Sequence, residues 1–273
     1  MGTMLENKLD TLEKQLGEND RLAIMASGGV DSTFLICCAK KVFAEKHKIS
    51  DLKAVTVNAP NFDPDEISYA KGLCSALGVR HLVIDLGEEH LDCFRNNPDN
   101  RCYLCKTNIA AAIQRELPGW TIADGTNADD MSDYRPGYQA LLEHGIISPL
   151  KDAGMTKGDI RQGLKASSIG IWNKPAFSCL ATRIPTGEKV TAEKLRQIYQ
   201  SEKVLRDMGF TQMRIRHHGD TARIEVPPEE RCRFFSEDVM DKVSAGIRGA
   251  GFRYVALDLD GYSKGNMNSP DKP

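Results

Sequence analysis

Three groups of residues along this chain have the types and spacing to do chemistry. The first is the hexapeptide Ser27-Gly28-Gly29-Val30-Asp31-Ser32. A glycine pair lets backbone N–H groups approach phosphate oxygens, and a helix starting there adds the positive end of its dipole. The Ser27 and Ser32 hydroxyls can donate to the same oxygens, and Asp31 suits the magnesium that accompanies a nucleotide polyphosphate. A bare Gly-Gly would read as a tight strand-to-helix turn. Here the hexapeptide follows the apolar run Leu22 to Ala26, and a second glycine loop, Asp124-Gly125-Thr126-Asn127, ends a later apolar run. That combination points to phosphate binding. No Gly-x-x-x-x-Gly-Lys-Ser/Thr occurs, and no Gly-x-Gly-x-x-Gly follows a strand, so the Walker loop and the dinucleotide fingerprint are both excluded.

The second group is sulfur. Of eight cysteines, Cys102 and Cys105 form a Cys-x-x-Cys and Cys179 follows Lys-Pro-Ala-Phe-Ser. Cys37, Cys38 and Cys74 fall inside helical patterns and read as core residues. An isolated Cys-x-x-Cys suits a redox dithiol, a zinc site completed by His90 or Cys93, or part of a larger metal centre. The third group is Arg214 and Arg216, which alternate along an expected strand and therefore share one face. Spacing alone makes that an exposed basic strand face.

The elements that must position these groups follow from periodicity. Leu5, Leu9, Leu12 and Leu16 recur at helical spacing. Strands are expected at 22–26, 52–57, 81–86 and 120–123, with helices after the Ser-Gly-Gly loop, at 66–77 and at 107–116. Strands alternating with helices predict an α/β domain with a parallel sheet covered on both faces. Ligands of such sheets bind beyond the carboxyl ends of the strands, where both glycine loops fall. After Asn173 the pattern changes to helix 192–208, strands 212–217 and 222–226, helix 236–248 and strand 252–257. That predicts a smaller α+β domain, dividing the chain into 1–173 and 174–273, with a disordered tail from Lys264.

The composition of the 273 residues is 41% hydrophobic and 27% charged, with a formal net charge of -2. This argues against the broad basic surface of a general nucleic-acid binder, transfer RNA included. No apolar run spans a bilayer, and Met1 to Asp20 carries no signal-peptide core, so a cytoplasmic protein is expected.

The hexapeptide resembles the signature of the PP-loop ATP pyrophosphatases, whose fold is the adenine nucleotide alpha hydrolase-like sheet. Asp124 to Asp130, Tyr134-Arg135-Pro136-Gly137, Trp172-Asn173-Lys174-Pro175, Phe177-Ser178-Cys179, Met213-Arg214-Ile215-Arg216 and Gly251-Phe252-Arg253-Tyr254-Val255 extend the likeness. In order, they resemble the LarE-type sulfur transferases of nickel-pincer nucleotide biosynthesis from about Arg21 to Asn268. The resemblance implies ATP as cosubstrate, bound by residues 27–32 and Gly125, with Mg2+ on Asp31. It implies a pyridinium biscarboxylate mononucleotide as substrate, adenylated on a carboxylate and then sulfurated, its phosphate held by Arg214 and Arg216. Cys179 takes the position of the sulfur-donating cysteine, and Glu202 and Glu225 match acidic positions near the site, Glu202 for catalysis and Glu225 for metal. With Cys102 and Cys105 beside it, Cys179 resembles the three-cysteine branch, which implies a [4Fe-4S] cluster as sulfur carrier. The likeness also implies a homo-oligomer.

Other readings remain. A PP-loop tRNA thiolase would share the adenylation and the cluster, yet calls for a basic surface and further cysteine pairs. An amidotransferase or NAD-type synthetase explains neither Cys179 nor the paired arginines. A non-catalytic ATP-sensing module would bind ATP without releasing pyrophosphate.

Overall fold

A computed structural model describes residues 2–132, 136–167, 169–175 and 178–263. Tyr134, Arg135 and Phe177 of the quoted motifs, and the tail from Lys264, lie outside the described residues. The chain divides into two units, one of residues 1–87 and 102–177, the other of residues 88–101 and 178–273.

The first unit is an α/β domain. Its strands are β1 (Leu22–Met25), β2 (Leu52–Asn58), β3 (Arg80–Asp85) and β4 (Thr121–Ala123), in the order β3-β2-β1-β4. All three pairings are parallel, with Leu22 opposite both Leu52 and Thr121. Buried parallel strands read as unbroken apolar runs, and Leu22, Ala23 and Ile24 are fully buried. The flanking helices are α1 (Gly2–Gly17), α2 (Val30–Glu45), α3 (Pro64–Leu77), α4 (Arg101–Glu116, its first residue in the other unit), α5 (Pro136–Glu143), α6 (Pro149–Asp152) and α7 (Lys157–Ala166). The leucine stripe of α1 seats Leu12 and Leu16 in the core, with Leu5 and Leu9 packed against it.

Local sequence sets where these helices begin and end. Asp63 accepts the Asp65 N–H ahead of Pro64, and Gly78 ends α3 at φ +65°. Thr156 and Asp159 form a reciprocal capping box at α7. Gly163 admits the Phe34 ring so closely that a Cβ there would stand 2.4 Å from it, locking α7 to α2.

The second unit contains α8 (Ala192–Asp207), β5 (Arg214–His218), β6 (Thr221–Glu225), α9 (Glu237–Gly249) and β7 (Tyr254–Leu257). β5 and β6 are antiparallel, and β6 and β7 parallel. Leu205, Ile215, Ala222, Ile224, Val243, Ile247 and Phe252 form its core. Residues 88–101 join it through backbone bonds to residues 187 and 190. Among the described residues no helix is long and apolar enough to cross a membrane.

Candidate active site

The order β3-β2-β1-β4 reverses direction between β1 and β4, and the crevice at such a switch point opens where their carboxyl-end loops diverge. Both glycine loops leave from there. Gly28 has φ +71°, and a Cβ on it would stand 3.0 Å from the Glu66 carbonyl oxygen. Gly29 is the N-cap of α2. Its carbonyl accepts Thr33 Oγ1 at 2.7 Å, while Ser27 Oγ and Ser32 Oγ meet at 3.2 Å. Gly125 lies on the same turn, where a Cβ would come within 3.0 Å of Ser32 N and 3.2 Å of its Cα. Ser27 to Ser32 and Gly125 thus form one backbone cradle at the head of a helix, a geometry suited to a chain of phosphates.

Asp31 stands in the first turn of α2, and its pKa is raised from the ordinary carboxylate value. Burial is the main cause and the nearby Asp130 charge the next, against Lys157 and Arg161. Asp130 is itself buried, 2.8 Å from Lys157 Nζ. A cation among the phosphates would relieve both carboxylates.

Lys174 had no assigned role in the sequence. Its ammonium donates to Gly28 O at 3.0 Å and to Glu66 Oε2 at 2.6 Å, and lies 3.9 Å from the Tyr69 ring centre. The only sequence signal was its place in Trp172-Asn173-Lys174-Pro175.

The Cys-x-x-Cys lies inside α4, within its first turns. Cys102 is exposed and Cys105 buried, with Asn61 Nδ2 donating to Cys105 Sγ at 3.8 Å. Gly137, which opens α5 with Pro136, sits where a Cβ would press on the Cys102 carbonyl at 3.3 Å. Two thiols one helical turn apart are soft donors suited to iron or zinc. Among the described residues, no three Cys, His, Asp or Glu side chains stand together as a metal-holding group, so α4 supplies a pair. Burial pushes the Cys37 and Cys74 thiols up to about 11 and Cys38 to about 12. Cys38 and Cys74 lie in the core as expected, whereas Cys37 is only half-buried.

Cys179 belongs to the second unit, half-buried at the N-cap of a 3-10 turn over Leu180–Arg183. That turn is organised by Arg183, to which no role had been assigned. Its guanidinium meets Glu202 through two bonds, Nε–Oε1 at 2.8 Å and Nη2–Oε2 at 2.9 Å, both side chains 1% exposed. Arg183 Nη1 also donates to Ser178 O at 2.8 Å and Cys179 O at 3.0 Å. Glu202 Oε1 accepts the Ile215 N–H at 3.1 Å. Glu202 is thus the counter-ion of the arginine that grips the Cys179 backbone.

Arg214 and Arg216 share one face of β5, as alternation requires, and both are buried. Glu225 lies opposite Arg214 and Arg223 opposite Arg216. Arg216 reaches Glu225 at 2.7 Å and the Thr182 carbonyl at 3.1 Å, while Arg223 pairs with the other Glu225 oxygen and with Asp258. Arg214 lies over the Tyr262 ring, 5.1 Å from its centre. Three buried guanidinium groups, Arg183, Arg214 and Arg216, thus share this unit with two buried carboxylates, Glu202 and Glu225.

The model of the asparagine synthase family matches residues 7–102. An uncharacterized protein of Synechocystis sp. is 37% identical over 97% of this chain and 98% of its own. Pyridinium-3,5-bisthiocarboxylic acid mononucleotide synthase of Lactiplantibacillus plantarum is 33% identical over 97% of this chain and 95% of its own. An uncharacterized protein of Methanocaldococcus jannaschii is 26% identical over 93% and 96% respectively.

Proposed function

The chain belongs to the family of the pyridinium-3,5-bisthiocarboxylic acid mononucleotide synthase, ATP-utilising PP-loop enzymes, and from that membership we propose that it makes a thiocarboxylate on a pyridinium biscarboxylate mononucleotide, for nickel-pincer nucleotide biosynthesis. The observation that carries the adenylating half is the cradle of Ser27–Ser32 closed by Gly125.

In the first step a substrate carboxylate oxygen attacks the α-phosphorus of ATP. The bond to the bridging oxygen breaks, and pyrophosphate leaves with that electron pair. The N–H groups at the head of α2 and the Ser27 and Ser32 hydroxyls hold the phosphates, and Asp31 would hold Mg2+, which when bound would offset the phosphate charge. Lys174, paired with Glu66 and donating to the Gly28 carbonyl, braces the loop from which the pyrophosphate departs. In the second step a sulfur nucleophile attacks the acyl carbon, and AMP leaves with the C–O bonding pair. Arg214 and Arg216 take the substrate phosphate, and Glu202 acts through Arg183 on the Cys179 turn. If Cys179 itself supplies sulfur, its C–S bond must then break by loss of the α-proton, leaving dehydroalanine.

The likeness to the three-cysteine branch, and not a preformed group of ligands among the described residues, is what supports a [4Fe-4S] cluster that Cys102, Cys105 and Cys179 would hold, α4 supplying the first two. When bound, such a cluster supplies an iron with no protein ligand, able to carry a sulfide.

The deciding experiment is anaerobic incubation with ATP, Mg2+, sulfide and the biscarboxylated nucleotide, followed by mass spectrometry of product and protein. More than one thiocarboxylate per chain, with iron and labile sulfide bound, supports the cluster. A single product with Cys179 converted to dehydroalanine supports sacrifice of that cysteine. Pyrophosphate release indifferent to the nucleotide sinks the proposal, and thiolation of bulk tRNA in its place would establish the rival.

A further inference from the structure

We infer that Asn97 and Arg101 are positioning residues for the sulfur-transfer step, clasping the backbone that follows Cys179; this rests on the sulfur-transferase reading above. Asn97 is fully buried and stands at φ +49°, a left-handed conformation that Asn tolerates better than most residues. Its Nδ2 donates to two successive carbonyls, Ile184 O at 3.0 Å and Pro185 O at 2.7 Å. Its own carbonyl accepts the Gly187 N–H at 3.0 Å. Arg101 spans the Asn97 side-chain oxygen and the Ala181 carbonyl, the latter at 3.1 Å. Two residues therefore hold the 181–187 backbone at four points.

From the other side Arg183 donates to the Ser178 and Cys179 carbonyls. Cys179 is therefore bracketed by charge-assisted bonds to backbone on both flanks. A loop needing only to be folded would not require two arginines and a left-handed asparagine. A thiol whose sulfur must meet an acyl carbon does need such fixing, because a displacement of about 1 Å costs on the order of 100-fold in rate.

Both residues belong to the second unit and the phosphate cradle to the first, so the clasp and adenylation can be assayed apart. Arg101→Met and Asn97→Gly are the variants; the second keeps the left-handed backbone and loses both amide donors. Each is assayed with the full chain for pyrophosphate, AMP and thiocarboxylate, and by hydrogen exchange. The expected result is thiocarboxylate formation reduced on the order of 100-fold while KM for ATP holds, with AMP released in excess of product as the adenylate hydrolyses. Amides from 180 to 190 should exchange faster, and Arg101→Lys should restore part of the coupling. Equal falls in pyrophosphate and thiocarboxylate, or unchanged coupling, would overturn the inference. If Arg101→Met does not fold, Asn97→Gly and Arg101→Lys decide it. If wild type releases no pyrophosphate with the nucleotide, the parent reading fails. Exchange at 180–190 then decides the clasp alone, unchanged protection in the variants refuting it.

Discussion

Glu202→Gln isolates the charge of the buried pair while keeping its volume. In the wild type, Glu202 Oε1 serves Arg183 Nε and Ile215 N, and Oε2 serves Arg183 Nη2. A glutamine can keep its oxygen toward the first two donors only by turning its NH2 group against Nη2. One acceptor is lost, and a guanidinium 1% exposed is left without its counter-ion among two other buried arginines. Breaking a buried pair in this way costs about 3–5 kcal/mol. The molecule supplies its own reporter: Trp120 and Trp172 are its two tryptophans, and both lie in the first unit. Tryptophan fluorescence therefore follows that unit, while far-ultraviolet circular dichroism follows both. In urea the dichroism of the variant should split, its early phase moved down by at least about 1 M at the usual slope, with the fluorescence midpoint held. Arg183→Met with Glu202→Leu should be more stable than Glu202→Gln alone, because removing both charges removes the uncompensated one. A Glu202→Gln protein whose dichroism matches wild type would refute the argument.

Gly125→Ala should abolish nucleotide-dependent pyrophosphate release and leave the fold standing. Its methyl meets Ser32 backbone atoms at 3.0 and 3.2 Å, an overpacking of about 1–3 kcal/mol, checked by activity beside a thermal melt. For Asp31 the native pKa lies above the unfolded 3.8, so the folded state holds its proton longer and stability falls as pH rises through that window. Asp31→Asn should therefore raise the melting temperature near neutral pH, by a margin that shrinks as pH falls toward 3.8, while ATP turnover is lost. Peptide mapping after mildly alkaline iodoacetamide should find Cys102 and Cys232 labelled first and Cys37, Cys38 and Cys74 protected, their thiols standing near 11 to 12.

The parallel sheet was readable because Leu22–Met25 and Leu52–Asn58 are apolar runs closed by polar loops, and the α-β-β-α-β run of the second unit because its periods are clean. The helix bearing the Cys-x-x-Cys begins at Arg101, where periodicity had placed Thr107; Asn97 to Asn100 offer turn residues without an apolar rhythm to mark its start. Helices α5, α6 and α7 went unread because they are short or polar, and only the Thr156–Asp159 box announced one of them. Lys174 and Arg183 were invisible for a different reason. A lone basic residue looks solvated until its partners, Gly28 and Glu66 or Glu202 and Cys179, arrive from distant parts of the chain.

Because residues 88–101 belong with residues 178–273, the chain leaves its first unit, contributes to the second, and returns. On a ribosome Asn97 emerges 87 residues before Ile184, the backbone it must bind. At common elongation rates that is a delay of about 4–17 s during which Asn97 lacks the carbonyls it binds in the folded unit. The second unit therefore cannot close until nearly the whole chain has been made, and no contiguous fragment reproduces it. Fusions, truncations and domain exchanges that cut near residue 177 would separate the clasp from the loop it holds.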